Sequence, residues 1–276
     1  MDNENTLNNK MEANGDEAVS AEIPVVGKGQ PLTVRDDQHD HAWLLDAARL
    51  SRRKGVRFRL VDSGVFDRFQ LEWLLKAGVD FFSSDDARSD FAELEGLRVI
   101  GRACGGRMAY FLYGEISPGE TEGDGFVLLG QSGIDLHVSS RDQTRDPARL
   151  AELAGACREG KARLVYYHHG GLDPDLEGLV RAGAWIHMTD ASLREEDDLF
   201  VFDLLETARK TGSGFVLHLE KELEPDRLQD LMRAGVRVLF KIGPIDYRSP
   251  MKPIEKMAAR RRLPDRSFFL YPDFMP

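Results

Sequence analysis

Leu71-Glu72-Trp73-Leu74-Leu75-Lys76-Ala77-Gly78 recurs in this chain as Leu176-Glu177-Gly178-Leu179-Val180-Arg181-Ala182-Gly183, and again as Leu228-Gln229-Asp230-Leu231-Met232-Arg233-Ala234-Gly235. Ser132-Gly133 is a worn fourth copy. Leucines three apart mark one face of a helix. Glycine takes the left-handed cap that closes a helix. An apolar stretch follows each glycine within a residue or two, so every copy reads as a helix end running straight into a strand. Self-similarity of this kind sets an architecture before any motif is considered.

Working outward, helices and strands alternate along the chain. A first helix is expected over His41–Arg53, with Trp43, Leu44, Ala47 and Leu50 on one stripe. Short apolar strands are expected at Arg57–Asp62, Val79–Ser84, Met108–Tyr113, Ile134–Ser139, Arg163–His168, Ala184–Thr189, Gly214–Glu220 and Val236–Ile242. A ninth apolar segment, Ser267–Tyr271, ends the chain. The helices open on an acceptor followed by proline: Asp146-Pro147, Asp173-Pro174, Glu224-Pro225 and Ser249-Pro250. An acceptor side chain there satisfies free N–H groups, and proline fits the first turn because it has no N–H to satisfy.

Strand, loop, helix, glycine, strand, repeated eight times, implies parallel strands joined by crossovers and buried on both faces. Eight such strands in about 240 residues match a (β/α)8 TIM-like barrel. Paired strands also echo one another at intervals of about fifty residues: Asp80–Asp85 resembles Asp135–Ser140 and Trp185–Asp190, and Ala109–Gly114 resembles Val165–Gly170. Residues 1–36, polar and without period, read as a disordered tail, and residues 37–276 as one barrel domain.

Composition narrows the class. The 276 residues are 42% hydrophobic and 30% charged, with a net charge of −10. That balance argues against a nucleic-acid binder, which needs a basic face. Arg260-Arg261-Arg262 is the one basic run in the sequence, and it closes a predicted helix, where cations suit the dipole. No apolar run reaches the length of a membrane span, about 18–20 residues, and no secretion signal is visible. Cys104 and Cys157 sit in similar local phrases and read as reduced thiols, which fits a cytoplasmic protein.

Working residues of such a barrel sit at the C-terminal ends of its strands. Of seven histidines, His39 and His41 precede the barrel, and the other five fall on predicted strands, mostly near those ends. Side chains alternate along a strand. His137 and Ser139 therefore share a face opposite Leu136 and Val138. His187 and Thr189 lie opposite Ile186 and Met188, and His218 and Glu220 opposite Leu217 and Leu219. Lys241 lies opposite Phe240. The apolar set must meet the outer helices, so the polar set is expected to point inward.

His137, His187, His218, Glu220 and Lys241 are thus the candidate catalytic group. Asp62, Ser139, Arg141, His168, Thr189, Asp190 and Gly243 are candidate ligand contacts. Imidazoles with a carboxylate can hold a divalent metal such as zinc or iron, with Glu220 or Asp190 as base. They can equally work as metal-free acid–base groups, with Lys241 or Arg141 fixing an anion. Gly170-Gly171, after His168-His169, offers N–H groups to an anion. Gly243-Pro244, followed by Tyr247 and Arg248, lies where such barrels bind phosphate. Two functions remain open: an enzyme acting on a small anionic molecule at the C-terminal rim, or a non-catalytic binding or scaffold protein whose interior is a plugged, hydrogen-bonded core.

Overall fold

A computed structural model describes residues 32–116, 124–219 and 223–240. Its strands are β1 (Leu32–Arg35), β2 (Phe58–Val61), β3 (Asp80–Ser84), β4 (Met108–Leu112), β5 (Asp135–Ser139), β6 (Leu164–Tyr167), β7 (Trp185–Thr189), β8 (Gly214–Leu219) and β9 (Arg237–Phe240). Between successive strands lie α1 (His41–Arg53), α2 (Arg68–Lys76), α3 (Phe91–Ala103), α4 (Gly125–Ser132), α5 (Pro147–Glu159), α6 (Asp175–Ala182), α7 (Asp198–Thr211) and α8 (Pro225–Ala234). The nine strands form one sheet in chain order, each parallel to the next. This all-parallel alternation of strand and helix is the arrangement of a (β/α)8 barrel.

The eight expected strands are all present, within two residues of the expected ends. β1 is additional. Leu32–Arg35 falls within the segment expected to be a disordered tail, but Leu32 and Val34 are buried and the strand pairs with β2. Four residues with two apolar side chains carry too little pattern to stand out beside a polar segment. Residues 1–31 and the ninth apolar segment at 267–271 lie outside the described residues.

The helix boundaries follow from local chemistry. Asp40, Asp67, Asp90, Asp124 and Asp146 each accept a hydrogen bond from a backbone N–H of the first turn. Asp173 does the same for Asp175 N–H at 2.9 Å. Glu224, expected to cap its helix, makes no such bond; its longer side chain fits the capping geometry less well than Asp, Asn, Ser or Thr. The glycines of the recurring phrase, Gly78, Gly133, Gly183 and Gly235, all take positive φ, from 89° to 112°.

Alternation sorts the strand side chains into two cores. Leu60, Phe81, Leu136, Val138, Ile186, Met188, Leu217 and Leu219 face outward and pack with Leu71, Leu74, Leu94, Leu97, Leu150 and Leu153 of the helices. Each fully buried leucine contributes about 2 kcal/mol. Ala109, Phe111, Val165, Tyr167, Trp185 and Val216 form a second cluster on the inner face, with Phe82 against it. At its floor the indole of Trp185 lies between two guanidinium groups, Arg163 at 4.5 Å and Arg237 at 4.2 Å from the ring centre. Gly214 makes room for this ring: a Cβ there would stand 2.6 Å from Trp185 Cζ3.

Candidate functional site

The inward parity expected for the histidines holds. The register sets His137 beside Phe111 and Val165, Tyr167 beside His187, and Thr189 beside His218. The three imidazoles and the Tyr167 phenol form one polar patch across β5–β8. His137 Nδ1 is 2.9 Å from Tyr167 Oη, and His187 Nδ1 is 2.9 Å from His218 Nε2. Aromatic faces enclose them: Phe111 stacks on His137 with ring centres 4.5 Å apart, and Tyr167 meets His187 edge-on at 5.0 Å.

Their height in the barrel differs from expectation. His137 and His187 are the middle residues of five-residue strands, not C-terminal ones. His168 and His169 are not in a strand, because β6 stops at Tyr167. His168 N–H donates to the His187 carbonyl at 2.8 Å, and its Nε2 contacts the Gly171 carbonyl at 2.7 Å. His169 N–H donates to Ser140 Oγ at 2.9 Å.

Enclosure decides the charge of the patch. Burial holds His137 down to about 3, helped by the cation of Arg59. Burial likewise holds His218 down to about 4, with His169 adding to it. His187 is held well below the ordinary value by burial and then by its two imidazole neighbours. All three rings are therefore neutral near pH 7. A neutral ring has one donor and one acceptor nitrogen, so a single proton serves each contact. His187 Nδ1 and one side of His218 are committed to each other. His137 differs: among the described residues its Nε2 has no hydrogen-bond partner in the protein.

The other candidates are placed as follows. Asp62 is buried at the end of β2. Its carboxylate accepts from Arg88 Nε at 2.8 Å and Nη2 at 3.3 Å, Ser83 Oγ at 2.6 Å and Gly64 N–H at 3.0 Å, which fills its acceptor positions. Asp36 lies beside it, 1% exposed, accepting from the N–H and Oγ of Ser63. Burial pushes the Asp36 carboxyl up, and the neighbouring Asp62 adds to the shift. Ser139 is buried and accepts from Arg141 N–H at 3.2 Å, while Arg141 itself is exposed. Thr189 Oγ1 lies 3.5 Å from Ser192 Oγ. Asp190 is buried in the turn after β7. Glu220, Lys241 and Gly243, with Tyr247 and Arg248, lie outside the described residues.

Two residues of this region were missed from sequence. Tyr167 shares the parity of Val165 and sits one position before the histidine pair, so the alternation rule would have found it. Arg145 carries no local pattern. It is 7% exposed and donates to the carbonyls of Ser139, Leu112, Tyr113 and Gly114, tying the ends of β4 and β5 together. Such a role depends on tertiary position alone.

Among the described residues no three His, Cys, Asp or Glu side chains are arranged to hold a metal ion, and no helix is long and apolar enough to cross a membrane. Cys104 and Cys157 are both free, and burial pushes the Cys157 thiol up to about 12.

No family model matches the chain, and no curated protein matches it. Solved structures with a similar course include a mandelate racemase/muconate lactonizing protein from Herpetosiphon aurantiacus, at 14% identity and a TM-score of 0.36. The match covers 70% of this chain and 47% of that one, so this chain spans about half its length. A phosphonomutase-like protein from Burkholderia cenocepacia J2315 matches at 13% identity and 0.35, covering 84% and 91%. An HpcH/HpaI aldolase from Desulfitobacterium hafniense DCB-2 matches at 10% and 0.33, covering 90% and 96%. Scores this low transfer no site and no activity; the fold rests on the chain's own strand order.

Proposed function

We propose that this chain is a barrel enzyme that binds a small anionic molecule and moves a proton with a neutral imidazole, without a metal. One observation carries the reading. His137 is braced through Nδ1 by Tyr167, walled by Phe111, and left with an unpartnered Nε2. A neutral, oriented ring with one nitrogen not bonded to the protein is suited to general acid–base catalysis. Arg59, whose guanidinium lies over the Phe82 ring at 5.4 Å, puts a cation on the same inner face and favours an anionic ligand. The metal-assisted alternative is disfavoured by His187 and His218, whose facing nitrogens already share a hydrogen bond.

A second reading has its own support. The aromatic inner cluster and the paired imidazoles resemble a satisfied polar core, which would make the protein a plugged binding or scaffold barrel.

His137→Asn separates the two. The amide nitrogen of Asn occupies the place of Nδ1 and keeps the bond to Tyr167, while the position of Nε2 is emptied. Small carboxylic and phosphorylated acids would be screened by thermal shift on both proteins. The enzyme reading expects at least one compound to stabilise the wild type and not His137→Asn, with the two melting alike when free. No stabilisation of the wild type by any of these acids would refute it in favour of the plugged core.

A further inference from the structure

The face opposite that site carries the C-terminal ends of the helices and a cavity. Helices run against the strands, so their C-termini gather at the N-terminal end of the barrel. Seven of the eight end in Lys or Arg: Arg52 and Arg53, Lys76, Arg102, Arg158, Arg181, Arg209 and Lys210, and Arg233. Aspartate caps occupy the other end. Lys76, Arg181, Lys210 and Arg233 are each paired with a carboxylate of their own helix. Cations at helix ends suit the dipole, and that alone explains a ring of single charges. It does not explain a cavity.

A cavity of about 290 Å³ opens on this face at the foot of β4, β5 and β6. Arg102, Arg107, Lys161 and Arg163 line it. Arg102, Arg107 and Lys161 form no ion pair among the described residues. Arg163 is oriented by its stacking on Trp185. A fifth cation, Arg98, is already matched by Glu95 at 2.6 Å. The carboxylate in the lining is Asp135, whose Oδ1 accepts the Arg163 N–H at 2.9 Å. Burial pushes that carboxyl up, against the nearby cations Arg163 and Arg107, which lower it.

Lys161 supplies an independent observation. Seven helices are followed by a left-handed glycine: Gly55, Gly78, Gly105, Gly133, Gly183, Gly212 and Gly235. The eighth, α5, is followed by Lys161, the one non-glycine residue with positive φ among those described, at 60°. A side chain with a Cβ is strained there. The chain keeps a lysine where its own repeat uses glycine, and that lysine lines the cavity. Strain held at one position is a pointer to function.

We propose that this cavity is a second ligand site, specific for a compact phosphorylated molecule carrying two or more negative charges. Its size suits a small ligand. Several arginines and a lysine lining one space are the chemistry that recognises phosphate. The proposal is independent of the reading of His137.

Inorganic pyrophosphate is the probe, titrated calorimetrically into the whole protein at about 50 mM and about 300 mM salt. Saturable one-to-one binding that weakens with salt is expected. Lys161→Gly should melt no lower than the wild type, because the strain is relieved, yet bind about tenfold more weakly, the loss of one charge-assisted hydrogen bond. Arg107→Gln, at an exposed position, should weaken binding similarly. Arg181→Gln, at another helix end and paired with Glu177, and His137→Asn should both bind as the wild type. Absence of saturable binding to the wild type would overturn the proposal. So would unchanged affinity in Lys161→Gly and Arg107→Gln, or a loss in Arg181→Gln as large as theirs, which would mark a diffuse field and not a site.

Discussion

Acidifying the protein from about pH 7 to about pH 5 should remove a large part of its stability, and the cause lies in the inner imidazoles. Each is neutral in the native barrel but free to protonate once unfolded, at the ordinary value of 6.5. A base whose native pKa is depressed makes the unfolded state bind more protons as pH falls, so stability declines below about pH 6.5. With native values of about 3 for His137 and about 4 for His218, each group withdraws about 2 kcal/mol at pH 5, at 1.36 kcal/mol per unit. The two together withdraw about 4 kcal/mol, and His187 adds in the same direction. Domains of this kind are stable by only about 5–15 kcal/mol. Urea unfolding followed by circular dichroism at several values between pH 7.5 and pH 5 measures the slope. His218→Gln is the control: the amide nitrogen of Gln takes the place of Nε2 facing His187 and does not titrate, so its curve should lose about 2 kcal/mol less over the same range. Stability that stays flat from pH 7 to pH 5 in the wild type, or an NMR titration of His137 or His218 centred near 6.5, would refute the enclosure of these rings.

Asp36 provides a test of opposite sign. Its carboxyl is raised by burial and by Asp62, so its contribution is present at low pH and is lost as pH rises through its native value. Asp36→Asn keeps the acceptor for Ser63 and cannot ionise beside Asp62; it should melt at or above the wild type at neutral pH, and a clear drop in Tm there would show that the charged form is the one needed. At the barrel floor, Gly214→Ala should lower stability by about 1–3 kcal/mol through overpacking against Trp185, read as a shift in the urea midpoint with an unchanged m-value. An unaltered midpoint would mean that the indole is free to move.

The recurring phrase, the period-two strands and the aspartate caps made the strand order legible, because each depends on neighbours within about ten residues. Parity alone placed His137, His187 and His218 on one face, since side-chain alternation is a property of a single strand. What the chain does not carry locally is height and company. His137 and His187 lie midway up the barrel because neighbouring strands set their register. The pairing of His187 with His218, the bracing of His137 by Tyr167 and the carbonyls gathered by Arg145 join residues about 30 positions apart. β1 is not legible locally because two buried side chains in four residues acquire meaning only when β2 is beside them. Lys161 shows the same division: its sequence is that of an ordinary helix end, and only the folded backbone reveals that it stands where every other helix places a glycine. Local chemistry wrote the elements and their faces; the low dielectric of the enclosed barrel, which exists only after the strands assemble, decided that His137, His187 and His218 are neutral.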